Sequence, residues 1–118
     1  MAPRKLRWMG DSKDVLSGFP QDVKDVFGVA LYEVELGGTP DIAKPWKGLG
    51  PGVWELRDTD EDGAAYRGVY VVRLKSAVYV LHAFKKKSRR GIETPRHEVE
   101  VIEQRLKRAI EIDRESGE

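Results

Sequence analysis

Tyr66-Arg67-Gly68-Val69-Tyr70-Val71-Val72-Arg73-Leu74, then Lys75-Ser76, then Val78-Tyr79-Val80-Leu81-His82-Ala83-Phe84, reads as two strands joined by a short turn. Valine, tyrosine and phenylalanine dominate both runs, as a pleated and packed surface favours. Alternation divides the first run between two faces. Tyr66, Gly68, Tyr70, Val72 and Leu74 share one face; Arg67, Val69, Val71 and Arg73 share the other. A tight turn at Lys75-Ser76 sets Arg67 across from the Phe84 region and Val69 near His82. A slip of one residue would send the whole last strand to the opposite face. In the register of the tight turn, Arg67, His82 and Phe84 gather where the sheet meets Lys85-Lys86-Lys87, and Arg57 of the neighbouring strand is placed to join them.

Working outward, Val53–Arg57 has the same period of two, and Thr59–Gly63 is an acidic turn between it and Tyr66–Leu74. The three strands form an antiparallel meander. Thr39–Gly52, broken by Pro40, Pro45, Gly48, Gly50, Pro51 and Gly52, reads as an ordered loop anchored by Trp46 and Leu49. Further upstream, Val23, Val26, Phe27, Ala30, Leu31 and Val34 recur at helical spacing between Pro20 and Gly37-Gly38. A shorter helix precedes them, capped by Asp11 or Ser12, running through Leu16 and ended by Gly18, so the two form a hairpin. Arg4 to Met9 reads as a short strand. Downstream, Lys85–Glu93 is a basic loop and Thr94-Pro95 opens a last helix with Val99, Ile102, Leu106, Ala109 and Ile110 along one stripe. Arg114 to Glu118 is expected to fray. The order is β-α-α-β-β-β-α. The expected class is α+β: one domain over residues 1–118, an antiparallel sheet of three to four strands, helices on one face and the other face partly open.

Composition bounds the chemistry. The chain has 118 residues, 40% hydrophobic and 35% charged, with no cysteine and only two histidines. Disulfides, thiolate catalysis and sulfur-based zinc sites are excluded. No apolar run approaches a membrane span, and the basic N-terminus leads into no apolar signal segment, so a cytoplasmic protein without membrane contact is expected. Arg67, Arg73, Lys75, Lys85, Lys86, Lys87, Arg89, Arg90 and Arg96 fall between Ala64 and His97 with Glu93 the one acid, a window of +8 in a chain of +1. A polyanion is the natural partner of such a window, because neutralised phosphates release condensed counterions. An aromatic ring and an imidazole beside these cations suit a phosphodiester next to a stacked base.

Blander roles stand beside these. Lysine loops are commonly just solvated, Arg67 fits an edge arginine paired with Asp58 or Asp60, and His82 sits in an apolar run where a packed, hydrogen-bonded histidine is the default. His97 lies near a helix N-terminus, which favours a surface capping role; Trp46 and Trp54 read as core anchors.

Three segments carry a family likeness: Trp54-Glu55-Leu56-Arg57-Asp58, Tyr66-Arg67-Gly68-Val69-Tyr70, and Tyr79-Val80-Leu81-His82-Ala83-Phe84-Lys85-Lys86-Lys87-Ser88. With the element order and Gly91-Ile92 followed by Thr94-Pro95-Arg96, the chain resembles the RelE/HigB superfamily of bacterial toxins, and most of all its phage-derived HigB-like branch. The resemblance spans about Arg4 to Ile112. It implies a toxin that cuts mRNA in the ribosomal A site, without a metal or other cofactor. A HigA-like helix-turn-helix antitoxin would hold it inactive, and operator DNA would be met only through that antitoxin. No helix here is both basic and apolar-faced in a helix-turn-helix pattern, in keeping with that. Arg67 matches the family's strand arginine, and Lys86 and Lys87 match basic positions after the last strand. Arg57, Arg73, Lys85, Arg89, Arg90 and Arg96 are the expected RNA contacts. Relatives place lysines on the strand before the Tyr-Arg strand, where Val53 and Glu55 stand here. They also use a tyrosine near the last helix, and Arg89–Val99 has none; the C-terminal histidine of many relatives is missing as well. Lys86 or Lys87 acting as base, and His82, are therefore the candidates for proton transfer. A non-catalytic RNA-binding or interaction module on the same scaffold is the alternative reading.

Overall fold

The computed structural model describes residues 3–86 and 94–116. Its elements are β1 (Leu6–Trp8), α1 (Ser12–Ser17), α2 (Gln21–Glu35), β2 (Ala43–Pro45), β3 (Val53–Thr59), β4 (Ala65–Val71), β5 (Val78–Lys86) and α3 (Arg96–Ser116). The class is α+β, as the sequence predicts. The sheet is larger and mixed: five strands in the order β1-β5-β4-β3-β2, with β1 parallel to β5 and the other pairs antiparallel.

Two corrections concern strands. The Thr39–Gly52 segment contains β2, which pairs antiparallel with β3 through Ala43–Leu56, Lys44–Glu55 and Pro45–Trp54. A proline is tolerated there because β2 is an edge strand. β4 ends at Val71 rather than Leu74, and β5 continues through Lys86, so Lys85 and Lys86 are strand residues and not part of a loop.

A third correction concerns the layers. Helices cover both faces of the sheet. α1 and α2 set Leu16, Val23, Phe27, Ala30, Leu31 and Val34 against Leu56, Tyr66, Tyr70, Val78 and Val80. On the other face α3 sets Ile102, Leu106 and Ala109 against Val53, Val69, Val71, Tyr79 and Leu81. The physical cause is that β4 and β5 are apolar on both sides, and an apolar sheet face buries itself against whatever stripe is at hand. Trp54 and Trp46 anchor the two clusters, one on each.

Arginine and aspartate side chains tie down the connection between β4 and β5. Arg4 donates to the carbonyls of Val72 (2.7 Å), Leu74 and Ala77 (3.0 Å). Asp113, buried on α3, accepts from the amides of Lys75 (2.9 Å) and Ser76 (2.8 Å), the Ser76 hydroxyl and the Tyr79 phenol (3.3 Å). α3 is therefore held by Asp113 immediately before the stretch where fraying is expected, and its described part reaches Ser116.

Candidate active site

Register builds the site. Arg57 of β3 lies directly across from Arg67 of β4, which lies directly across from Phe84 of β5. One step along, Glu55, Val69 and His82 form the parallel row. These residues share the face that α3 covers only in part. The expected placement of Arg67 against Phe84 and of Val69 against His82 holds, although the connection is longer than a two-residue turn. A bulge at Leu81 absorbs the difference, since Val69 pairs with His82 while Tyr70 pairs with Val80.

Two cations placed directly opposite on neighbouring strands repel. Glu55 offsets this. Its side chain is almost fully buried, accepts a hydrogen bond from Arg57 Nε, and has Oε1 3.9 Å from Arg67 Nε. Asp58, by contrast, is in register with Tyr66 on the other face, and Asp60 accepts from Tyr66 and from the turn amides of Asp62 and Ala64, so neither is the partner of Arg67. Burial lowers the Arg67 pKa from its ordinary value; the Glu55 charge raises it back, and the Arg57 charge lowers it again. Arginine starts so high that it stays a cation at neutral pH. An open groove of about 600 Å³ runs beside this pair, lined by Pro45, Trp46, Lys47, Glu55, Arg57, Thr94 and Val99.

The other cations separate by face and by end. Lys86 pairs with Ala65, two residues along β4 from Arg67, which places it on the same face. Lys85 pairs with Tyr66 on the opposite face, with its Nζ 5.8 Å from the centre of the Tyr66 ring. Arg73 is at the far end of the sheet, donating to the carbonyls of Pro51 (2.9 Å) and Leu49 (3.5 Å). Arg96 is exposed on α3 and paired with Glu100 at 3.1 Å. Lys87, Arg89 and Arg90 lie outside the described residues.

His82 is buried and stacked on Phe84, with ring centres 5.2 Å apart. Its Nε2 is 3.1 Å from Glu98 Oε1, and its Nδ1 is 3.2 Å from Arg105 Nη1. A guanidinium only donates, so Nδ1 accepts, and the ring proton is assigned to Nε2, from which it is donated to Glu98. Arg105 also donates to the Leu81 carbonyl at the bulge (3.0 Å) and to Asp11 (2.7 Å). Asp11 thus spends its carboxylate on Arg105 rather than on a helix cap, and buried Ser12 gives its hydroxyl to the Val80 carbonyl at 3.1 Å. Gly10 makes room: its φ is +52°, and a Cβ there would stand 2.6 Å from the Arg105 guanidinium.

Sequence reading missed Glu55, Glu98 and Arg105 as site residues. The signal for Glu55 was present, since it shares the parity of Arg57 on its strand. Arg105 and Glu98 sit on a helix whose sheet contact no local pattern announces. Among the described residues, no cluster of three histidine, aspartate or glutamate side chains is arranged to hold a metal ion. Among them too, no helix is long and apolar enough to cross a membrane.

Residues 14–107 match the family described as phage-derived protein Gp49-like (DUF891). The chain belongs to this family. It is a RelE/HigB-type, toxin-like family, so the likeness read from the Trp54, Tyr66 and Tyr79 segments holds at that level. No curated protein matches the chain.

Proposed function

We propose that this Gp49-like protein is the toxin of a type II toxin–antitoxin system. In this reading it is a cytoplasmic, ribosome-dependent mRNA endonuclease of the HigB kind, and it inhibits translation until a HigA-like helix-turn-helix antitoxin neutralises it. One observation carries the reading: Arg57 and Arg67 oppose each other beside an open groove, with Glu55 as their shared counter-charge. Two guanidinium forks and one carboxylate leave a positive charge over, and a phosphodiester supplies the matching anion. Trp46, which lines the groove, offers a ring face for a base beside it.

The reaction is a transesterification. The mRNA 2′-oxygen bonds to the adjacent phosphorus, the bond from phosphorus to the 5′-oxygen breaks, and the products are a 2′,3′-cyclic phosphate and a 5′-OH end. The 2′-OH proton goes to a base, and an acid protonates the departing 5′-oxygen. Arg67 and Lys86 stabilise the dianionic phosphorane; losing one such preorganised cation costs roughly 10²–10³ in rate. Induced expression is expected to arrest growth and to create new mRNA 5′ ends within translated codons. A soluble Arg67→Ala variant is expected to do neither. Full toxicity of that variant would remove Arg67 from the reaction.

The second reading, a non-catalytic RNA-binding module, is favoured by His82. Both its ring nitrogens are engaged, by Glu98 and Arg105, which leaves it no vacant nitrogen for a substrate proton. Growth arrest with ribosome binding and no new 5′ ends would select this reading.

A further inference from the structure

α2 buries Val23, Phe27, Ala30, Leu31 and Val34 against the sheet, yet its outward side is apolar too. Val26, Val29, Tyr32 and Leu36 are 39%, 71%, 57% and 56% exposed, and they are the exposed large hydrophobic residues among those described. At 3.6 residues per turn, Val29 and Leu36 fall nearly on one line, with Val26 and Tyr32 on its two sides. The outer side of a helix packed on a sheet is ordinarily polar. Here the polar residues interleaved with the seam are all acids: Asp22, Asp25 and Glu33, each exposed. Lys24 points away from the seam, with its ammonium 3.3 Å from the Ser17 carbonyl.

We propose that this face of α2 docks an amphipathic helix of a partner protein that carries lysine or arginine on both sides of its own apolar seam. Apolar side chains of two helices interdigitate along such seams, and the flanking charges choose the partner. Asp22, Asp25 and Glu33 choose a basic one. A second copy of this chain is the wrong occupant. Packed antiparallel about Val29, two α2 helices would bring Asp25 of each against Glu33 of the other; packed parallel, they would set Asp25 against Asp25. Both arrangements juxtapose like charges, a destabilising contact. α2 and the Arg57–Arg67 pair occupy opposite faces of the sheet, so the docked helix leaves the groove open. The inference stands apart from the nuclease reading.

The probe is a labelled helical peptide of about 20 residues, roughly three heptads, with leucine along the seam and lysine on both flanks. The same peptide with glutamate flanks is the control, and binding to the full chain is read by fluorescence anisotropy. The lysine peptide is expected to bind, and the glutamate peptide to bind at least about tenfold more weakly. Val29→Lys is expected to weaken the lysine peptide by at least about tenfold with an unchanged melting curve, and Lys75→Ala to leave binding unaltered. Absence of binding, equal binding of the two peptides, or indifference to Val29→Lys would overturn the proposal. So would self-association of the free protein that Val29→Lys abolishes, which would make a second copy the occupant.

Discussion

Glu55 is the residue that lets two arginines face each other across a strand pair, and it also competes with any phosphate for them. Glu55→Gln separates these roles. Losing the charged partner of Arg57 is expected to cost on the order of 1–3 kcal/mol in urea denaturation. Affinity for a short single-stranded RNA is expected to rise, by about 1 kcal/mol or roughly fivefold, because the internal anion is gone. A variant that loses both stability and affinity would show that Glu55 positions the arginines more than it competes for them. Asp113 gives a pH-dependent case. Burial raises its pKa, but the Ser76 hydroxyl, the Ser76 and Lys75 amides and the Tyr79 phenol outweigh burial and bring it from 3.8 to about 2. A carboxyl depressed on folding contributes stability that is complete above its unfolded value and is lost as pH falls through the folded one. The window is therefore about pH 4 down to about pH 2. Asp113→Asn is expected to cost about 1–3 kcal/mol at pH 7. Its deficit relative to the native chain should shrink as denaturation is repeated at successively lower pH across that window. The sequence brings Arg67, Phe84 and His82 together by a period of two and a two-residue turn; the chain makes a longer connection instead, and the Leu81 bulge restores the same pairing. The partnership of Glu55 with both arginines depends on how the side chains settle, which no spacing encodes.

The Leu81 bulge is the element on which the site turns. Without its extra residue, the register set near Val71 would run on unchanged, Ala83 rather than Phe84 would lie across from Arg67, and Phe84 would leave the arginine face. The bulge also presents the Leu81 carbonyl to Arg105, which reaches on to His82. Arg105→Ala tests whether that guanidinium sets the imidazole tautomer. In the native chain, imidazole nitrogen spectra are expected to show His82 protonated on Nε2 at neutral pH; in Arg105→Ala the two tautomers are expected to mix. A native spectrum dominated by Nδ1–H would contradict the assigned hydrogen bonds. The elements themselves were unequally legible. α2 and α3 announce themselves by stripes of apolar residues, and β3, β4 and β5 by alternation. β2 does not, because three residues ending in Pro45 are too short for any period to show. Nor does the parallel pairing of β1 with β5, since a strand's own residues do not name its neighbour. The covering of both faces was encoded in the unbroken apolar runs Val69–Val72 and Val78–Leu81.

Over the whole molecule, the +8 window of sequence does not fold into one cationic face. β4 rises about 3.3 Å per residue, so Arg67 and Arg73 stand roughly 20 Å apart. Arg73 and Lys75 belong to the end of the sheet held by Leu49, Pro51 and Asp113. Lys85 is turned to the helical-hairpin side. Arg67 and Lys86 of this window share the arginine face with Arg57 and with Lys44 of β2, which lies across from Glu55, and Lys47 lines the groove beside them. Counterion release makes this partition measurable. For single-stranded nucleic acid, the slope of log affinity against log salt is about −0.7 per phosphate neutralised. Arg67→Ala and Lys86→Ala are each expected to flatten the slope for a short RNA by about 0.7 and to lower affinity at 0.1 M salt. Lys75→Ala and Lys85→Ala remove the same charge from the same stretch of sequence and are expected to leave the slope unchanged. Equal flattening by all four would mean that the RNA responds to net charge spread over the surface, and the Arg57–Arg67 groove would lose its claim to be the binding site. A slope altered only by the first pair would mean that contact is local, and that the fold, by separating neighbours in sequence onto different faces and ends, selects which of the window's described basic residues meet phosphate.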